Sequence, residues 1–113
     1  MHELSLMDAV RELALEQAAR HGARRIAAIT LRVGSLAGVE IEALRFAHAV
    51  VMADTIAAGS RLEIEAVPAE CFCAACGQPF LARDGCCDCP LCGSISRELL
   101  RGRELQLASL ELG

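Results

Sequence analysis

The chain has 113 residues, a formal net charge of −4, seven cysteines and only three aromatic residues, and arginine supplies all eleven Lys/Arg charges. That length gives one compact domain with room for a small appendage, and its core must come from Leu, Ile, Val and Ala. A polyanion-binding protein carries basic excess, so this acidic balance argues against a nucleic-acid partner. No run of about 18 apolar residues suggests a membrane span.

The first helix is predicted from about Ser5 to His21. Leu6, Val10, Leu13, Ala14, Gln17 and Ala18 share a face, Ser5 is the expected N-cap, and Gly22 follows as the stop. Ile26 to Val33 reads as a strand, with Ile29, Leu31 and Val33 on one side and Ala28, Thr30 and Arg32 on the other. A second helix is expected from Glu40 to Ala57, ended by Gly59, its broad apolar side built from Ile41, Leu44, Phe46, Ala47, Val50 and Val51. Arg61 to Val67 alternates again as a strand. The same holds from Arg103 to Leu112, where the leucines change parity and a bulge near Ala108-Ser109 would reconcile them. His21 and His48 fit a helical surface.

Between the last two strands lie all seven cysteines, from Cys71 to Cys92. Two phrases recur there, Cys73-Ala-Ala-Cys76-Gly77 and Cys89-Pro-Leu-Cys92-Gly93. A Cys-x-x-Cys turn points backbone N–H groups at the sulfurs, and the glycine supplies the left-handed residue of the return. Four thiolates so spaced favour tetrahedral Zn²⁺ in a closed site with no open catalytic position. Cys86 and Cys89 are also a Cys-x-x-Cys pair but lack the following glycine, so Cys73, Cys76, Cys89 and Cys92 are the expected zinc ligands. Cys71, Cys86 and Cys87 read as spare thiols, with auxiliary metal capture the sharper alternative. A rubredoxin-type iron centre leans on an aromatic core, and this segment has only Phe72 and Phe80. Arg83, Asp84 and Asp88 are its only formal charges, which again disfavours nucleic acid. The start Met1-His2-Glu3-Leu4-Ser5 is not a basic region followed by an apolar one, so the expected compartment is a reducing cytoplasm, with thiols serving metal rather than disulfides.

The fold expected from this order is α+β: a small three-stranded mixed sheet with two helices on one face, plus a zinc-ribbon insert with two Cys-x-x-Cys knuckles. Residues 1–69 and 98–113 would form one domain and 70–97 the zinc-binding domain. A histidine at the second position adds a second candidate site. Its imidazole, its backbone nitrogen and the terminal amine can close adjacent chelate rings around Ni²⁺ or Cu²⁺, whose planar field offsets the cost of ionising an amide.

Met1-His2-Glu3-Leu4-Ser5, the glycine-bearing loop before Val39-Glu40, and the run Glu70-Cys71-Phe72-Cys73-Ala74-Ala75-Cys76 with Cys89-Pro90-Leu91-Cys92 resemble the HypA/HybF hydrogenase nickel-incorporation proteins over essentially the whole chain. The resemblance implies a metallochaperone, not an enzyme, that binds Ni²⁺ as transient cargo and helps deliver it to the large subunit of a [NiFe]-hydrogenase, with urease maturation also open. It implies nickel at His2 with backbone nitrogens nearby, and with contributions from Glu3 and Glu40. Where some relatives have Asp, this chain has the longer Glu40. It further implies structural zinc at Cys73, Cys76, Cys89 and Cys92 and a GTPase partner of the same pathway. The chain is expected as a monomer or weak homodimer with no nucleic-acid or membrane partner. Having no lysine, it lacks a P-loop lysine and is not itself the NTPase. The alternative is a zinc-ribbon adaptor without nickel delivery.

Overall fold

The computed structural model describes residues 3–83 and 86–113. In chain order the elements are α1 (Glu3–Arg20), β1 (Ile26–Gly34), α2 (Ile41–Val51), β2 (Arg61–Val67), β3 (Glu70–Cys73), β4 (Gln78–Leu81), β5 (Glu98–Arg101) and β6 (Leu105–Leu112). They form two three-stranded sheets, β2-β1-β6 and β4-β3-β5. The α+β class with two helices, a three-stranded sheet and a cysteine module matches the expectation. The second sheet was not expected, because its strands are only four residues long and carry no clean alternation. No helix among the described residues is long and apolar enough to cross a membrane.

The chain divides into two compact units. The first comprises Met1–Leu31, Gly38–Glu65 and Gln106–Gly113, and the second Arg32–Ala37 and Ala66–Leu105.

In the first unit α1 buries Met7, Val10, Ala14 and Ala18. The helix begins at Glu3, so Ser5 lies inside it and is not the N-cap. Glu3 stands in the first turn, where the unpaired N–H groups favour a carboxylate. The buried stripe is also rotated from the expected one: Met7 is fully buried, whereas Leu13 is 49% exposed. Leu13 instead borders a surface groove of about 500 Å³ with Gln17, His21, Leu107, Leu110 and Leu112. Gly22, at φ 62°, ends the helix as its C-terminal carbonyls turn to His21, Gly22 and Ala23.

β1 is the central strand, and Ile26, Ala28, Ile29, Leu31 and Val33 along it are buried. α2 is shorter than expected, ending at Val51 rather than Ala57. Beyond it the Thr55 hydroxyl donates to the Met52 carbonyl at 2.9 Å and accepts from Ala57 N–H at 3.0 Å, a local alternative to helix that closes the turns before Gly59. The broad apolar side narrows to Leu44 and Ala47, with Phe46 left 69% exposed. In β6 the half-buried positions change parity between Leu107 and Ala108, where the sequence pattern places its irregularity.

His48 is not a surface residue. It is 8% exposed, and its Nε2 shares a 2.9 Å hydrogen bond with the buried Ser60 hydroxyl. Burial, with the nearby Arg45 charge, holds its pKa below 6.5. The unfolded chain therefore takes up a proton at His48 before the folded one does, so this residue costs stability as pH falls below 6.5, and nothing above it. Wild type should lose a few degrees of Tm between pH 7.5 and 5.5 that His48→Gln does not lose. Parallel Tm profiles for the two proteins would contradict this.

The second unit is gathered by residues 34–36. Gly34 N–H donates to the Glu104 carbonyl at 2.7 Å, Ser35 N–H to Val67 at 2.9 Å and Leu36 N–H to Gly102 at 2.7 Å. The Ser35 hydroxyl accepts from Ala69 N–H at 3.1 Å. Packing here admits no side chain on Gly34, since a Cβ would lie 2.1 Å from the Gly102 carbonyl oxygen. Gly34→Ala should therefore destabilise by at least about 3 kcal/mol, because the obstructing atoms are backbone and cannot rotate away. A Tm within two degrees or so of wild type would disprove that reading.

Candidate metal centre

The central strand β3 carries the first knuckle. Its partners are antiparallel: Cys71 faces Phe80 on β4 and Leu99 on β5. Pro79, which cannot donate to a ladder, sits on β4 at the edge of the sheet. After Cys73 the chain turns. Gly77 N–H returns to the Cys73 carbonyl at 2.7 Å, Gly77 adopts φ 68°, and Cys76 N–H points at the Cys73 sulfur at 3.4 Å. The second knuckle repeats this closure, with Gly93 N–H on the Cys89 carbonyl at 2.9 Å and Gly93 at φ 76°.

These two turns bring Cys73, Cys76, Cys89 and Cys92 together, their sulfurs all within 4.8 Å of one another. Cys73 and Cys92 are 3.6 Å apart, and Cys76 and Cys89 3.9 Å. A tetrahedral zinc with bonds of about 2.3 Å needs sulfur separations of about 3.8 Å, so the donor set fits that ion. Cys73 and Cys89 are buried, Cys76 is half-buried and Cys92 exposed. Hydrogen bonds from the Ser94 side chain and backbone, then from Cys73 and Cys76, pull Cys92 down to about 6. Hydrogen bonding to Cys92 and Cys73 pushes Cys76 up to about 12. Neighbouring sulfurs share protons in this way because adjacent thiolates repel one another.

Cys86 is free and exposed and does not belong to the four-sulfur group. Cys71 and Cys87 are joined in a disulfide with Cα atoms 6.0 Å apart, which corrects the expectation that no thiol would be paired. A signal for it lies in the sequence. Cys71 stands two residues before Cys73 and Cys87 two before Cys89, so both knuckles read Cys-x-Cys-x-x-Cys-Gly. The Ser94 contact to Cys92 was likewise not anticipated.

Of the residues proposed for nickel, Glu3 and Glu40 meet across thirty-seven positions of sequence: the Glu40 N–H donates to Glu3 Oε2 at 3.2 Å. Glu40 is the N-cap of α2, extended at φ −89° and ψ 121°, and makes no side-chain cap hydrogen bond. The carboxylate at the start of α1 is thus anchored by the start of α2. His2 lies outside the described residues.

A family model described as hydrogenase/urease nickel incorporation, metallochaperone, hypA matches residues 1–112. The chain belongs to the HypA family. A hydrogenase maturation factor HypA of a Synechococcus species is 50% identical over 116 residues, covering 99% of both chains. That of Alkalilimnicola ehrlichii is 40% identical over 112 residues, again covering 99% of both. In fold, the chain is similar to the solution structure of the Ni metallochaperone HypA from Helicobacter pylori, with a TM-score of 0.70, 23% identity and coverage of 99% of this chain and 97% of that one. HypA proteins are maturation factors for nickel enzymes: they carry metal and are not catalysts. The family match and the four-sulfur group together make this chain a metal-binding member of a hydrogenase maturation system.

Proposed function

We propose that this chain binds one Ni²⁺ at its amino terminus and helps deliver it to the large subunit of a [NiFe]-hydrogenase, while one Zn²⁺ bound by Cys73, Cys76, Cys89 and Cys92 holds the cysteine module together. The observation that carries the zinc assignment is the gathering of four sulfurs within 4.8 Å of one another, two pairs of them 3.6 and 3.9 Å apart. The nickel assignment is supported by the family match over residues 1–112. It is also supported by a histidine at position 2 beside Glu3, whose carboxylate accepts the Glu40 N–H. Residues 1–69 and 98–113 form the nickel-binding domain in this reading, and 70–97 the zinc-binding domain. Nickel is cargo, so its ligands must release it. Imidazole and amide nitrogen suit that better than a closed thiolate cage.

The chain has no lysine and so no P-loop lysine, and the energy-linked step belongs to a GTPase partner of the same pathway. The setting is cytoplasmic, and the chain acts as a monomer or weak homodimer without nucleic acid or membrane. The family description spans urease as well as hydrogenase, so urease maturation falls within the same reading. The deciding experiment is metal analysis on protein with its native amino terminus: one zinc per chain as isolated and one added nickel. A chain with zinc but no nickel binding would leave only the zinc-ribbon adaptor.

A further inference from the structure

The disulfide between Cys71 and Cys87 lies outside the four-sulfur group but beside it, two residues before the first ligand of each knuckle. Cys71 belongs to the central strand of the module's sheet and is fully buried. Cys87 is half-buried in the segment leading to the second knuckle, which has no strand of its own until β5. Ser96 N–H donates to the Cys87 carbonyl at 2.8 Å, the Ser96 hydroxyl donates to the Phe72 carbonyl, and single bridges join Arg83 to Cys86 and Asp88 to Ile95. Among the described residues, the four gathered sulfurs and the Cys71–Cys87 bond further join the two knuckles. A Cα separation of 6.0 Å lies within the range a disulfide spans. The doubled Cys-x-Cys-x-x-Cys-Gly phrase puts the two cysteines at the same offset in each knuckle, so the pair is written into the repeat rather than being an isolated coincidence.

We propose that Cys71 and Cys87 form a reversible thiol–disulfide latch that sets how readily the module gives up its metal. Closed, the latch holds the knuckles together and keeps the four sulfurs gathered when the ion departs, so rebinding outruns escape. Open, the second knuckle swings away once one metal–sulfur bond breaks. The co-reactant is a low-molecular-weight thiol and its disulfide. A thiolate of that class attacks the half-buried Cys87 sulfur, the S–S bond breaks, and Cys71 leaves as thiolate and takes a proton. A second small thiol then attacks the mixed disulfide on the small-molecule sulfur and releases Cys87 as a thiol. In sum, two thiols are oxidised to one disulfide and the protein disulfide is reduced to two thiols; closing the latch is the reverse. Cys86, exposed and free, takes no part.

The inference rests on the reading of Cys73, Cys76, Cys89 and Cys92 as the zinc site, and its test separates the two. Full-length protein is equilibrated with glutathione or with glutathione disulfide, its zinc content is measured, free thiols are alkylated, and peptides are identified by mass. Zinc release to a competing chromogenic chelator is then timed. The expected result is one zinc in both states, a Cys71–Cys87 cross-link only in the oxidised one, and release at least tenfold slower there. Cys87→Ser should release zinc at the reduced rate in both buffers. It is preferred to Cys71→Ser because Cys71 is buried in the sheet and its replacement risks misfolding. Absence of zinc overturns the metal reading and the latch with it. One zinc with equal release rates, a cross-link that includes Cys86 or a ligand cysteine, or two zincs in the reduced chain overturns the latch alone.

Discussion

Under reducing conditions, replacing Cys73 by serine should strip the chain of the zinc proposed for the four-sulfur group and unfold the cysteine module while α1 and α2 remain folded. Cys73 ends the central strand β3, is buried, and closes the first knuckle through its carbonyl and its sulfur. A structural Zn²⁺ contributes on the order of 10 kcal/mol or more to folding in small modules, and the loss of one of four thiolates removes most of that. Apart from the Cys71–Cys87 bond, which a reducing buffer opens, the module has little else to rely on: its strands are four residues each, and Leu81, Leu91, Ile95 and Leu100 are exposed rather than buried in a core. The expected measurement is zinc content near zero with amide-exchange protection lost over residues 70–101 and kept in α1 and β1. A chelator should reproduce the effect in the reduced wild type. Cys86→Ser, outside the sulfur group, should keep its zinc, and zinc loss in that variant would contradict the assigned set.

The second large effect concerns nickel. His2→Ala should weaken Ni²⁺ binding at least a hundredfold, because it removes the imidazole that closes adjacent chelate rings with its own backbone nitrogen and the terminal amine. An extension before Met1 should weaken binding as well, since it turns the terminal amine into an amide. Calorimetry on tag-free protein, the alanine variant and an extended form makes the comparison, and equal affinities would sink the amino-terminal site. Glu40→Gln separates two roles of one residue. It preserves the backbone N–H that Glu3 accepts, so any nickel lost in that variant reports on the Glu40 carboxylate and not on the Glu3 anchor. Protons compete for imidazole and amide nitrogen, so an acid titration should release nickel before zinc. Simultaneous release would count against two independent sites.

The parts of this molecule legible in its sequence are those set by local geometry. Gly77 and Gly93 stand where each knuckle needs a left-handed residue, and a Cys-x-x-Cys turn makes its contacts within five residues. β1 was legible because a central strand buried along its length needs a run of apolar residues, and Gly22 marked the stop of α1 for the same steric reason as the knuckle glycines. Legibility failed where distant partners decide. The Met7 stripe and the Leu13 stripe satisfy the same helical period, and only packing chooses between them. His48 needed Ser60, twelve residues on, to be tolerable inside. The β4-β3-β5 sheet rests on register, and four-residue strands with a proline in one of them carry little register information of their own. The Glu3–Glu40 contact, between two helix starts, had no local signal at all.

Residues 34–36 fix more than a turn. Val67 and Ala69 before the cysteine module, and Gly102 and Glu104 after it, are all held by the same three residues. A Cβ on Gly102 would reach the Ala69 Cα at 2.7 Å, so the chain leaves and returns through nearly one point. The module is therefore a loop with a pinned neck. The entropy of closing such a loop grows only logarithmically, about 0.6 kcal/mol for each doubling of length. The closure term alone therefore sets little limit on the length between Ala69 and Gly102, whereas the neck tolerates no added atom. Variation in size among related chains should accumulate beyond the neck, and Gly34 and Gly102 should mark where it stops.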